Sequence, residues 1–243
     1  MAIERKKDMT LKAILFDMDG TLLPMNQDKF VEEYFKTISM AISPLGYEPK
    51  KLVDSIIKGT FAMVNGDGTR PNEAIFWEVF CGIYGKKAYD DKPHFDKYYE
   101  ENFDVLKKYT SCNPKAAQTV YMLKSMGYRH VLATNPLFPP LAIQKRISWA
   151  GLSHTDFEIY TTYENSSYCK PNPKYYTEIV DKLGLKPEEC LMVGNDADDD
   201  LAAQKAGLNV FLHTDCLINR HNKDVSSYPK GSFDELIEFI SKR

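Results

Sequence analysis

Leu11-Lys12-Ala13-Ile14-Leu15-Phe16-Asp17-Met18-Asp19-Gly20-Thr21 is the stretch on which the reading of this chain turns. Its first part is a short, nearly continuous apolar run, the pattern of a strand buried on both faces of a sheet. The run stops at two acids. If strand geometry persists past Phe16, the carboxylates of Asp17 and Asp19 lie on one side and Met18 points the other way. Like charges that close raise each other's pKa unless a cation sits between them. Gly20 then permits a sharp turn, so that backbone N–H groups can face an anion. The stretch suits a divalent metal and a phosphoryl group held together, with an aspartate as the attacking group. An ordinary Asp/Gly turn closing a strand is the alternative, and partners at the ends of other strands decide between them.

Outward from this stretch the rhythm changes twice. Residues 24–107 carry helical periods: Phe30, Tyr34, Phe35, Ile38 and Ile42 on one face, then Leu52, Val53, Ile56 and Phe61, then a helix from Asn72 to about Tyr84, then one opened by Pro93. Four amphipathic helices joined by short connections predict a small bundle, with its aromatic stripes as internal packing. From Asn113-Pro114 onward helices alternate with strands. Strands are expected at residues 129–133, 157–161, 190–193 and 209–213, with helices at 141–150, from Asn172-Pro173 to Gly184, at 199–206 and after the Ser232-x-x-Glu235 capping box. Right-handed crossovers then give a Rossmann-like, doubly wound parallel α/β sheet. The expected division is an α/β domain of residues 1–23 and 108–243 carrying an inserted all-helical domain, residues 24–107.

Composition narrows the function classes. The 243 residues are 43% apolar and 27% charged, with a formal net charge of −3. No apolar run approaches the roughly 20 residues that span a bilayer. Met1-Ala2-Ile3-Glu4-Arg5-Lys6-Lys7-Asp8 shows no secretory signal, so a cytoplasmic location is expected. No Lys/Arg-rich run favours nucleic acid or an anionic membrane, which leaves a small molecule as the expected partner. The cysteines, Cys81, Cys112, Cys169, Cys190 and Cys216, lack any Cys-x-x-Cys pairing and read as free thiols. Cys169, beside Lys170, would have a lowered pKa if exposed.

In an open parallel sheet ligands bind beyond the carboxyl ends of the strands. One strand leaves at Thr134-Asn135-Pro136, where a hydroxyl and backbone N–H groups can take a phosphate oxygen. Lys170-Pro171-Asn172-Pro173 places a lysine just before a helix, where it can neutralise a carboxylate and a phosphate together. A third strand leaves at Gly194-Asn195-Asp196-Ala197-Asp198-Asp199-Asp200. Such an acid cluster repels itself without a cation, and oxygen-only ligands point to Mg²⁺.

These four clusters, in this order, resemble the haloacid dehalogenase superfamily of phosphotransferases. Asp17-Met18-Asp19-Gly20-Thr21 matches its first motif, Thr134 the second, Lys170 the third and the acids from Asp196 to Asp200 the fourth. The resemblance implies that Asp17 is a nucleophile forming an aspartyl-phosphate and that Asp19 is the general acid/base. It implies phosphate binding by Thr134, by Lys170 and by backbone N–H groups around Met18 and Asn135. Mg²⁺ would be held by Asp17, the Asp19 carbonyl, Asp196 and Asp200. The acid at Asp19 is similar to that of phosphatases and phosphomutases, whereas dehalogenating members lack it. The helical insertion is similar to a small all-α cap that closes over the site. Gly194-Asn195-Asp196 departs from the usual Gly-Asp, so either Asp196 or Asn195 takes the metal position, Asp196 being preferred because a carboxylate binds Mg²⁺ more strongly than an amide. The implied activity is an Mg²⁺-dependent phosphatase of a small phosphorylated metabolite. A phosphomutase and a non-catalytic phosphate-binding module are the alternatives. Arg70 is a candidate for a second anionic group of the substrate.

Overall fold

A computed structural model describes residues 11–242 and places the opening stretch at the middle of the sheet. The segment Met1 to Asp8, on which the absence of a signal was read, lies outside the described residues. Six strands, β1 (Ala13–Phe16), β2 (Arg129–Leu132), β3 (Ile159–Tyr160), β4 (Cys190–Gly194), β5 (Asn209–His213) and β6 (Lys230–Gly231), run parallel in the order β3-β2-β1-β4-β5-β6. The apolar runs alternate across the two faces. Ile14, Phe16, Leu132, Leu191 and Val193 belong to one core, and Ala13, Leu15, Val131, Ala133 and Met192 to the other. A strand with both faces covered has no polar side, which is why β1 and β4 read as continuous apolar segments.

Nine α-helices are described: α1 (Gln27–Ile42), α2 (Pro49–Val64), α3 (Asn72–Tyr84), α4 (Lys87–Asp90), α5 (Lys92–Glu101), α6 (Pro114–Ser125), α7 (Pro140–Trp149), α8 (Pro173–Leu183) and α9 (Phe233–Ser241). Asn26, Asn113 and Asn172 cap α1, α6 and α8 with their side-chain oxygens, and Pro114 and Pro173 occupy first-turn positions. Residues 24–107 hold five α-helices where four were expected, because the short α4 precedes α5. Residues 200–206, expected as an α-helix, form a 3₁₀ helix, and β3 and β6 are two-residue edge strands. The core containing Phe16 and Leu132 continues without a break through Phe30, Tyr34, Phe103 and Trp149, so the helical segment packs directly on the sheet side of the molecule. The N–H groups of Asn72 and Glu73 at the start of α3 donate to the carbonyls of Ser166 (2.9 Å) and Tyr163 (2.7 Å), which ties the segment down a second time.

One core group carries a pH signature. His130 on β2 is 3% exposed, meets the Phe16 ring edge-on at 5.7 Å, and neither ring nitrogen has a hydrogen-bond partner. Burial, reinforced by Lys124, pushes its pKa down to about 4. An unfolded histidine takes up a proton near pH 6.5, so acidification favours the unfolded chain, and stability present above that pH is lost as pH falls towards 4. Between pH 7 and 4 the wild type should lose about 3 kcal/mol more than His130→Phe, read from urea unfolding at each pH. Equal acid sensitivity of the two proteins would refute this.

Candidate active site

The ladder continues one residue past β1, with the Asp17 N–H donating to Val193 O at 2.9 Å, while the Ala133 N–H donates to Phe16 O at 2.7 Å. Asp17 is thereby held level with Ala133 and Gly194, and the residues that follow those two, Thr134 and Asn195, emerge beside it. Register alone brings three of the sequence clusters to one edge of the sheet. Lys170 arrives from the loop before α8. A single cavity of about 190 Å³ is lined by Asp17, Asp19, Thr134, Asn135, Lys170, Asp196 and Asp200, together with Arg146, Asn195 and Asp199. Every residue singled out in the four clusters as catalytic, phosphate-binding or metal-binding therefore faces one space.

Lys170 organises it. Its buried ammonium donates to Asp17 Oδ1 at 2.7 Å and to Asp200 Oδ1 at 2.6 Å, and the Lys170 N–H donates to Asn135 Oδ1 at 3.3 Å. Burial alone would pull the lysine pKa down, but Asp17 and Asp200 hold it well above its ordinary value. Asp17 Oδ2 accepts from the Thr21 hydroxyl at 3.3 Å. The Asp200 carboxylate also accepts the Asp196 N–H at 2.9 Å, which requires Gly194: a Cβ there would lie 2.1 Å from Asp200 Cγ. Gly20 (φ 91°) is equally constrained, since a Cβ would lie 2.3 Å from Asn195 Nδ2.

Asn195 itself is used up. Its Oδ1 accepts from Thr21 Oγ1 at 2.9 Å and its Nδ2 donates to Cys216 O at 2.7 Å, so it fastens the first motif to the fourth. Asp196 points one oxygen at the N–H groups of Asp198 (2.7 Å) and Asp199 (3.1 Å) and the other at Arg220 Nη1 (2.8 Å). The Thr134 carbonyl is taken by the hydroxyls of Thr161 (2.6 Å) and Tyr175 (2.8 Å), which fixes the backbone beneath its side chain.

Two basic residues at this site escaped the sequence analysis. Arg146 on α7 is 1% exposed; its Nη1 donates to Asp19 Oδ2, and its guanidinium sits 4.9 Å from the centre of the Phe138 ring. A positive charge between Ile143 and Ile147 on the apolar face of a helix was the available signal. Arg220 lies beyond the last recognised motif and had none. Arg70, by contrast, is exposed and pairs with Glu78 at 2.6 Å, away from the cavity. Cys169 is buried, and burial pushes its thiol up to about 12, the reverse of an activated thiol.

The electrostatics are lopsided. Five carboxylates line the cavity against two cations, Lys170 and Arg146. Burial raises Asp19 against the opposing pull of Arg146, and it lifts Asp199 to about 6 and Asp200 to about 7 despite Lys170. The second oxygen of Asp19, Oδ1, is buried without a partner. Among the described residues no three acid, histidine or cysteine side chains converge closely enough to enclose an ion as they stand. No helix there is long and apolar enough to cross a membrane.

Comparison with known proteins agrees with this geometry. The glyceraldehyde 3-phosphate phosphatase of Methanopyrus kandleri is 28% identical over 204 residues, covering 82% of each chain. The pyrophosphatase PpaX of Bacillus cereus is 28% identical over 204 residues, 82% of this chain and 81% of its own. A solved phosphatase structure from Thermococcus onnurineus shares the fold at 19% identity, with a TM-score of 0.56 over 95% of this chain and 98% of that one. The family model described as haloacid dehalogenase-like hydrolase matches residues 11–207, which span all four clusters around Asp17. With the motif order, the strand-end placement and that match in agreement, the chain belongs to the haloacid dehalogenase-like hydrolases.

Proposed function

We propose that the protein is a phosphoric monoester hydrolase working through an aspartyl-phosphate at Asp17. The observation that carries this reading is the single Lys170 ammonium held between Asp17 and Asp200, with the Asp19 carboxyl on the same cavity wall. Asp17 would attack phosphorus in line with the departing oxygen. Lys170 would neutralise charge on Asp17 and on the transferring group, and Thr134 with backbone N–H groups near Met18 and Asn135 would hold the phosphoryl oxygens. Asp19, whose pKa burial raises, would give a proton to the leaving oxygen and then take one from the water that cleaves the acyl-phosphate. The names of the relatives, both acting on small phosphorylated compounds, support the class of substrate.

The site also suits Mg²⁺. The donors are all oxygen, negative charge is in excess, and Asp19 Oδ1 is buried and unpaired. Asp17, the Asp19 carbonyl, Asp196 and Asp200 would hold the ion. Asp196 is preferred over Asn195 because a carboxylate binds Mg²⁺ more strongly than an amide, and because Asn195 already ties Thr21 to the Cys216 carbonyl. The half-exposed Arg220 would have to leave the Asp196 oxygen it now holds. When bound, Mg²⁺ supplies charge neutralisation between the nucleophile and the phosphoryl oxygens. We further propose that residues 24–107 act as the cap, with α1 contributing Phe30 and Val31 to the cavity wall.

The experiment is phosphate release from a panel of monoesters with Mg²⁺ and with chelator. Free phosphate formed only with the metal supports the reading. No release by the folded protein, or an isomerised substrate with little free phosphate, overturns it.

Arg146 enters as a positioning residue, since it touches Asp19 and no reacting atom. Arg146→Met should lower kcat by about 100-fold in the wild type and by less than about 3-fold in an Asp19→Asn background, because residues acting through one contact are not additive. Equal losses in the two backgrounds would assign Arg146 a purely structural role.

A further inference from the structure

Next to the catalytic cavity lies a second one of about 220 Å³, enclosed by the helical segment and the loop after β2. The two share Val31, Leu137 and Phe138 as common walls, so the second begins where the first ends. Most of its remaining walls are hydrocarbon: Phe35, Ile38, Ile56, Phe76 and Phe95 face it. Three of the hydroxyls on its walls are spent, while Trp77 Nε1 is buried without a hydrogen-bond partner. The hydroxyls of Tyr34 and Tyr99 bond together at 2.8 Å, and the Thr60 hydroxyl donates to Ile56 O of its own helix at 3.0 Å. Asp96 is the one charged residue on the lining. The aromatic stripes do pack into the core, as expected, and beside them this space stays open where a fully packed bundle would fill it.

We infer that this cavity receives the leaving group of the substrate, and that the substrate is a phosphomonoester of an aryl-alkyl or medium-chain aliphatic alcohol. The inference rests on the phosphatase reading. A phosphoryl group on Asp17 leaves the rest of the ester two directions, past Leu137 and Phe138 into this cavity or past Asp19 and Met25 into a more open space of about 510 Å³ beside Arg220, and of the two only the first is enclosed by apolar walls. An apolar cavity near 150 Å³ is enough for benzene, so 220 Å³ takes a substituted ring or a short hydrocarbon chain. A sugar or a carboxylate would bring several hydroxyls or a negative charge against walls that are mostly hydrocarbon, with the Trp77 N–H and the Asp96 carboxylate as the few polar groups to meet them. The named substrates of the relatives, a triose phosphate and pyrophosphate, are of that polar kind, so the preference is expected to set this chain apart from them.

The test compares 2-phenylethyl phosphate with ethyl phosphate, both with Mg²⁺. The expected ratio of kcat/KM is about 100 in favour of the phenyl ester, carried mainly by KM. Thr60→Phe, which fills the cavity from a residue that touches no reacting group, should cut the ratio below about 10 and leave ethyl phosphate turnover unchanged. A ratio near one, or a ratio that Thr60→Phe does not move, overturns the inference while turnover of either ester leaves the phosphatase reading intact. Calorimetry with the corresponding phosphonates separates the remaining case. If neither ester is hydrolysed, the phosphatase reading fails, and tighter binding of 2-phenylethylphosphonate than of ethylphosphonate by about 100-fold would still support the cavity as the apolar subsite. Equal binding would reject it.

Discussion

Asp17→Asn is expected to reduce phosphate release by about 10⁴-fold or more with the fold intact. The amide is isosteric but is not a nucleophile, so the covalent step has no attacking group. Lys170 does not become an orphan, because Asp200 Oδ1 still accepts from it at 2.6 Å. Asp17 also raises the pKa of both Asp19 and Asp200 by like-charge repulsion, and its neutralisation relieves both. The variant should therefore unfold at the same temperature as wild type or slightly above it. A variant that keeps more than about one-tenth of the wild-type rate would remove Asp17 from the chemistry.

The largest combined loss is expected for Lys170→Met. Methionine fills the space but leaves Asp17 and Asp200, at 2.7 and 2.6 Å from the vanished ammonium, as buried like charges with no counter-ion. Removing one partner of a buried ion pair costs about 3–5 kcal/mol, and loss of the neutralising group should lower kcat by about 10³-fold. The pH dependence of the stability loss has a definite sign. Without the lysine the folded-state pKa of Asp200, already raised to about 7 by burial, rises further above the unfolded value near 3.9, so the folded protein keeps a proton that the unfolded chain has released. The deficit against wild type is then largest near pH 7.5 and shrinks as pH falls towards 5. Urea unfolding of both proteins at the two pH values measures it, and a pH-independent deficit would show that the lysine acts only by packing.

The parts of this molecule that could be read from sequence are those whose constraint is local. β1 and β4 are covered on both faces, so burial leaves an uninterrupted apolar run in each. Three of the four polar clusters follow strands directly, and a parallel sheet sends all such exits to one edge, where Lys170 joins them from the loop before α8. What could not be read depends on distant partners. β6 pairs through only two residues, too few to leave a pattern, and β3, expected over 157–161, is confined to Ile159–Tyr160. The turn after Asp199 tightens to 3₁₀, with the Tyr176 hydroxyl on the Asp199 carbonyl at 2.7 Å and the Asp200 side chain turned back to the Asp196 N–H. Arg146 and Arg220 meet their acids across 127 and 24 residues of chain, and nothing beside either one announces the contact. The same holds for the hydrocarbon cavity: each stripe in α1, α2, α3 and α5 has the spacing of a packed helix, and only their arrangement leaves the space between them.

The most direct measurement of the central claim is the intact mass of the protein acid-quenched during turnover with Mg²⁺ and a substrate that releases phosphate. One added phosphoryl group per chain, labile to hydroxylamine, located to the peptide containing Asp17 and missing from Asp17→Asn, is the predicted result. Steady phosphate release by a protein whose mass never changes, at a rate that Asp17→Asn retains, would contradict it.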